Sequence, residues 1–314
     1  MIRRPLFPLV VSALSVGLLL AGCASTPHTL HPAARPPTEL YAGQPQAVHA
    51  TEFPVASLAE GVQRGDAAWR EGKLELAVYL YVQALQFAPG DAATLRKIGA
   101  IQESLGNRGL ARRAFEMAVT SGGPDAATLE RLGMLYIQDG ENANAQKLLV
   151  HAIVLDARRW RAHDGLGVLA DRRGDYAEAR THYDTALRLE PKAASVFNNR
   201  GYSKFLAGDL PGAEADLKES ISLGAVPLAW VNLGKVQAKS RRYGAAFKSF
   251  LNTLDTARAY NAVGEGAMSN GDHQIAKTYF ENAANAAPSY FEDAYKNLAL
   301  ANEALAGRGA GQGT

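Results

Sequence analysis

Residues 160–193 read WRAHDGLGVLADRRGDYAEARTHYDTALRLEPKA, and four positions in that stretch set a beat that runs through most of the chain. Gly167 recurs at 34-residue intervals as Gly65, Gly99, Gly133 and Gly201; Gly234 follows 33 later, Gly264 30 later, and Ala299 holds the place after a further 35. Ala179 belongs to the series Ala77, Ala111, Ala145, Ala213, Ala246 and Ala276. Tyr183 marks a large apolar position, filled elsewhere by Tyr81, Phe115, Leu149, Leu217, Phe250 and Phe280. Ala186 marks a small one, shared with Ala84, Ala118, Ala152, Ser220, Thr253 and Ala283. Chance does not keep four registers in step over seven units.

Such a unit reads as two antiparallel helices that cannot bury their apolar faces alone and must stack on neighbours. A glycine at the helix crossing lets the backbones approach, and the bulky side chain fills the space against the next helix. The turns agree with this reading. Gly72, Gly106, Gly140, Gly174, Gly208 and Gly271 stand where the first helix must end in a left-handed cap. Asn107, Asp175, Asp209 and Asp272 follow them and can cap the second helix. Pro89, Pro191 and Pro288 occur where second helices stop, and Arg241 takes the glycine slot of the sixth unit, which is four residues short. The expected units are 58–91, 92–125, 126–159, 160–193, 194–226, 227–256 and 257–290. A last helix at about 292–305, with Tyr295, Leu298 and Leu305 packing inward, would cap the array before a flexible glycine-rich tail at 306–314.

The 34-residue helix–turn–helix unit resembles the tetratricopeptide repeat, whose small residues lie at fixed offsets. That resemblance implies an all-α fold, a right-handed superhelical solenoid of about seven repeats with a capping helix, and a concave groove lined by the first helices.

Ahead of the repeats, Met1 to Arg4 start cationic, Leu6 to Leu20 are mostly apolar, and Leu20-Ala21-Gly22-Cys23 follows. This pattern describes a secretory signal peptide over 1–22. Its apolar stretch, interrupted by Pro8 and Gly17, is short for a membrane span. The last four residues resemble the bacterial lipobox, and the single cysteine of the chain sits at its modified position. The resemblance implies a lipid on Cys23. With Ala24 rather than aspartate next, it also implies an outer-membrane protein facing the periplasm. Several acyl chains give essentially permanent attachment at about 0.8 kcal/mol per buried methylene. Residues 23–57 hold Pro27, Pro32, Pro36, Pro37, Pro45 and Pro54 without any helical or strand period, and read as a disordered tether. His28, His31 and His49 fall in it at irregular spacing, so no metal site is expected there.

Composition narrows the function. The 314 residues carry 33 Lys and Arg against 31 Asp and Glu, and removal of 1–22 takes Arg3 and Arg4, leaving 31 against 31. A neutral chain lacks the clustered cations of a nucleic-acid binder and the polybasic patch of a protein held electrostatically on lipid. A lone cysteine excludes internal disulfides and cysteine-based zinc clusters. No nucleophile elbow, HExxH or phosphate loop is present. His163 and Asp164 adjoin, but helical neighbours point about 100° apart and cannot orient one another. His151, His182 and His273 read as surface or interface residues. The chain is therefore read as no enzyme, with no catalytic or metal-ligating residue and no cofactor beyond the covalent lipid.

The groove is the expected site. Inward positions at offsets 2, 5, 9 and 12 of each unit give Val62, Asp66 and Trp69, then Arg96 and Glu103, then Met134 and Ile137. The next two units give Arg161, Asp164, Val168 and Asp171, and Asn198, Tyr202 and Phe205. Asn199, Asn232 and Asn297 match positions where related repeats hydrogen-bond a ligand backbone, although bonds within the repeats would explain them as well. Trp230 reads as core. Apolar anchors mixed with charges suit a protein or peptide partner better than a small polar molecule. The Lys/Asn/Arg set of carboxylate-clamp repeats is absent. The stretches Phe197-Asn-Asn-Arg-Gly-Tyr-Ser-Lys-Phe-Leu-Ala-Gly-Asp-Leu210 and Trp230-Val-Asn-Leu-Gly-Lys235 resemble the repeat lipoprotein of the tight-adherence (Flp-type) pilus machinery. This implies help in assembling or localising a secretin and other pilus subunits. The rival role is an outer-membrane scaffold for peptidoglycan hydrolases or envelope biogenesis factors.

Overall fold

In the computed structural model, residues 55–224 and 227–310 are described; the signal segment, Cys23, the tether up to 54 and the tail from 311 lie outside them. Seven helical hairpins follow one another. They are α1 Leu58–Arg70 with α2 Leu74–Ala84, α3 Ala92–Ser104 with α4 Arg108–Gly122, and α5 Ala126–Gln138 with α6 Asn142–Leu155. Next come α7 Trp160–Arg172 with α8 Tyr176–Leu189, and α9 Ala194–Leu206 with α10 Leu210–Ser222. The last two are α11 Pro227–Lys239 with α12 Tyr243–Phe250, and α13 Thr256–Ser269 with α14 His273–Ala286; α15 Glu292–Ala310 follows alone. No strand occurs among the described residues. First helices begin at the expected unit starts except in the seventh, where Thr256 precedes the expected 257.

Each hairpin is built on its glycine. A Cβ placed on Gly65 would stand 2.5 Å from the Tyr81 ring, one on Gly167 2.6 Å from Tyr183, and one on Gly201 2.9 Å from Leu217. The bulky side chains Tyr81, Phe115, Leu149, Tyr183, Leu217, Phe250 and Phe280 are all buried, so each lies over the bare backbone of its own first helix. The alanines from Ala77 to Ala276 in the second register are buried without exception, which allows the helices to cross closely.

The turns hold the second half of the geometry. All six turn glycines take positive φ, for example +78° at Gly174. Arg241 holds the same conformation at φ +59°, the one non-glycine to do so among the described residues. An L side chain in this region costs roughly 1–2 kcal/mol. The cationic side chain reaches Asp272 at 3.4 Å, but it is mostly exposed and such a pair contributes little. Arg241→Gly is therefore expected to stabilise the protein by about 1 kcal/mol, checked by thermal unfolding; an unchanged or lower midpoint would show that the arginine pair outweighs the strain.

Several local expectations change. Asp175 and Asp209 accept from the backbone N–H of Glu178 and Gly212 as helix caps. Asn107 and Asp272 make no such bond. Asn107 donates to Gln102 instead (2.9 Å), and Asp272 accepts the phenol hydroxyl of Tyr243. The caps that the composition hid lie before first helices, at Ser57, Asp91, Asp125 and Asp255. Thr253 is exposed because α12 stops at Phe250, in keeping with the shortened sixth unit. Trp230 is half-buried against the α10–α11 core. On α15 the inward stripe is Ala294, Leu298 and Ala301, whereas Tyr295 is exposed and stacks on Tyr290 with ring centroids 4.9 Å apart. The stripe repeats every three to four residues, and Tyr295 lies one position off it. The same helix runs past the expected end at 305, because Ala304, Leu305 and Ala306 favour helix and no proline stops it.

Candidate functional site: a cavity across the first helices

Offset rules place the inward residues on α1, α3, α5 and α7, and those helices wall one cavity of about 480 Å³. Trp69 comes from α1, and Ala100, Glu103 and Ser104 from α3. Glu130, Arg131 and Met134 come from α5, and Arg159 and Arg161 from the start of α7. Trp69 is 37% exposed, a large ring left toward solvent, and the flexible thioether of Met134 lines the same cavity. An indole supplies large apolar area and a thioether an adaptable one.

Two of the three arginines are neutralised within the wall. Arg131 donates to Glu103 at 2.6 Å, and Arg159 grips the buried carboxylate of Glu130 through two bonds of 2.8 and 3.2 Å. Arg159 thereby positions the rim rather than offering charge. Arg161 forms no ion pair among the described residues; its guanidinium lies over the Trp160 ring, 4.2 Å from the centroid. The cavity therefore presents an indole, a thioether and one available guanidinium.

Other expected groove residues are placed differently. Arg96 is tied to Asp125 at 2.8 Å, and Ile137 is core, although it shares an offset with Trp69. Val168 is half-buried between the third and fourth hairpins. Asp66 holds Lys97 and the Tyr81 hydroxyl. Asp171 accepts from Ser203 at 2.6 Å and from the hydroxyl of Tyr183 at 2.8 Å. Desolvation and that neighbouring carboxylate push the Tyr183 phenol far up, so it stays neutral.

The asparagines form a ladder between repeats. Asn199 donates to Asp164 (3.0 Å), Asn198 to Asn199 (3.2 Å) and Asn232 to Asn198 (3.0 Å). Asn297 likewise donates to Asn261 at 3.1 Å. Asn198, Asn232 and Asp164 are buried. These groups satisfy one another across α7, α9 and α11, as buried polar groups must. Burial raises the Asp164 carboxyl to about 6, against the pull of the Asn199 bond and of Arg161. Tyr202 and Phe205 remain partly open on α9, their rings 6.0 Å apart, with the Lys235 ammonium 5.6 Å above Tyr202. Phe205 also leans on the α10–α11 core. His163 and Asp164 diverge: the former turns to His182, the latter to Asn199. Sequence offsets did not single out Glu130, Arg131 and Arg159, which line the cavity; Glu130 stands at offset 5 and was legible there.

Residues 130–194 and 165–225 match the family model described as tetratricopeptide repeat. The fold is that of a tetratricopeptide repeat protein. A tetratricopeptide repeat protein from Parabacteroides merdae superposes with a TM-score of 0.57, at 18% identity, over 78% of this chain and 98% of that one. A chain of the APC/C hetero-tetramer Cut9–Hcn1 gives 0.59 at 19% identity, over 78% of this chain and 48% of that one. Among curated proteins, Tetratricopeptide repeat protein 36 of Danio rerio is 42% identical over 57 residues, which cover 18% of this chain and 30% of that one. The matched segment thus spans less than a third of the length of these curated relatives. Tetratricopeptide domains offer protein or peptide partners an extended concave surface. Among the described residues, no helix is long and apolar enough to cross a membrane.

Proposed function

We propose that the protein is a non-catalytic envelope lipoprotein whose solenoid captures a protein partner and helps to assemble or localise a tight-adherence pilus or its secretin. Cys23 carries the lipid, residues 24–57 tether the repeats to the inner leaflet of the outer membrane, and the cavity between α1 and α7 takes a partner segment. The observation that supports this reading is the cavity itself. Trp69 supplies the kind of large ring, and Arg161 the kind of open guanidinium, that carry most of the energy in protein interfaces. The lipobox-like end and the single cysteine support the anchor.

The test pairs crosslinking in envelopes with two variants. Trp69→Ala combined with Arg161→Ala should reduce secretin capture at least tenfold, on the order of 2 kcal/mol for a pair of interface anchors, without loss of helical circular dichroism. Undiminished capture would move binding off the cavity, and recovery of peptidoglycan hydrolases in place of secretin would replace the pilus role by the scaffold role. Cys23→Ala should release the protein from the outer-membrane fraction and abolish palmitate labelling; retention would remove the anchor.

A further inference from the structure

The α7–α8 hairpin brings together two histidines that the groove does not use. His163 and His182 face each other with Nδ1 3.4 Å from Nδ1, ring centroids 5.7 Å apart and planes inclined by 37°. Both are half-buried. Their other partners bear on which nitrogens hold protons. Nε2 of His182 stands 3.8 Å from the Glu178 carboxylate, and the backbone at Ala157 favours the protonated His163 ring. If these acceptors draw the ring protons outward, the two Nδ1 lone pairs confront each other, an arrangement that a proton or a cation between them would relieve.

The 3.4 Å spacing is long for the first and matches the second. A neutral N–H···N bond prefers about 3.0 Å and weakens beyond it. Two metal–nitrogen bonds of about 2.0–2.1 Å at a tetrahedral angle span about 3.4 Å. Metal-bound imidazoles also characteristically give their second ring N–H to a carboxylate or backbone carbonyl, and the Glu178 carboxylate stands on that side of His182. Burial holds both imidazoles below the usual histidine range, in the neutral form that binds metal. At His163 the neighbouring His182 and Arg188 add to it, and at His182 it prevails over the opposing pull of Glu178, with Arg173 helping. Arg173 is itself paired with Glu178 at 2.6 Å, which tempers its repulsion of a dication. No group of three His, Cys, Asp or Glu side chains suited to a metal occurs among the described residues, so the remaining positions would belong to solvent.

We propose that His163 and His182 form a bis-imidazole site for a borderline divalent cation of the zinc class, clipping the two helices of the fourth repeat. The test uses the full-length, untagged, chelator-stripped protein at pH 7.5, titrated with zinc chloride by calorimetry and melted with and without it. Because His28, His31 and His49 can also bind zinc, the reading is a difference between proteins. His163→Gln and His182→Gln should each lose one zinc equivalent and the zinc-induced rise in Tm, while His151→Gln on α6 should lose neither. Each histidine is replaced separately, with apo melting as a check of fold, so that a folding defect in one leaves the other informative. Wild-type stoichiometry and an undiminished Tm rise in a folded variant of either histidine would overturn the proposal.

Discussion

Gly167→Leu should lower the stability of the solenoid by about 3 kcal/mol, the upper end of what overpacking a tight core costs. Even the first atom of a side chain there would come within 2.6 Å of Tyr183, whose ring is buried and whose hydroxyl is held by Asp171. The ring cannot swing away without breaking that bond, so the two helices of the fourth hairpin must separate. Urea unfolding measures the effect. Because repeats are coupled chiefly to their neighbours, a weakened central hairpin should also broaden or split the transition. Gly109→Ala is the control: a Cβ at Gly109 on α4 meets nothing within 4 Å, and alanine there should be neutral or stabilise by about 0.5–1 kcal/mol. If Gly167→Leu unfolded like wild type, the crossing would not depend on the missing side chain.

Asp164→Asn should gain stability over wild type as pH rises. Burial raises the native carboxyl to about 6, from an ordinary value of 3.8 in the unfolded chain. Between those values the native state holds a proton that the unfolded state has released, so wild-type stability falls as pH climbs through the window. Below about 4 both states are protonated and no penalty exists; above about 6 both are ionised and the penalty is complete. Asparagine keeps an acceptor for Asn199 and does not titrate. The stability difference between variant and wild type should therefore be larger at pH 8 than at pH 4 by on the order of 3 kcal/mol, at 1.36 kcal/mol per unit. Taking the difference between the two pH values removes any constant cost of the new amide donors. Chelated protein is used so that a cation at His163 does not contribute. A difference independent of pH would mean that Asp164 is solvated or already charged in the native state.

The hairpin register was legible from the chain because it is a local matter of volume. Gly167 and Tyr183, sixteen residues apart, meet across a single turn, and nothing outside the unit is needed to say that one must be small and the other large. Even the turn at Arg241 was marked, since a non-glycine in the glycine slot had either to take a left-handed conformation or to break the pattern; it takes the conformation. The caps on Asn107 and Asp272 were misread because short polar side chains choose among several nearby partners of similar energy, and Gln102 and Tyr243 win there.

The cavity was only half legible. Offset 12 picks out both Trp69 and Ile137, yet one ring lies open to solvent and the other side chain is 6% exposed in the core. An offset fixes the direction in which a side chain leaves its helix, but the next repeat decides what stands in front of it. The same limit applies to Asn198 and Asn232, whose amides close on one another from 34 residues apart, and to His163 and His182, whose meeting depends on how α7 and α8 are rotated. The sequence by itself determined the repeat, its turns and the close helix crossings, since steric volume acts between chain neighbours. The division of the inner face into open anchors, paired charges and buried polar bonds was decided only by the stacking of one repeat on the next, where desolvation makes each polar group find a partner from another helix.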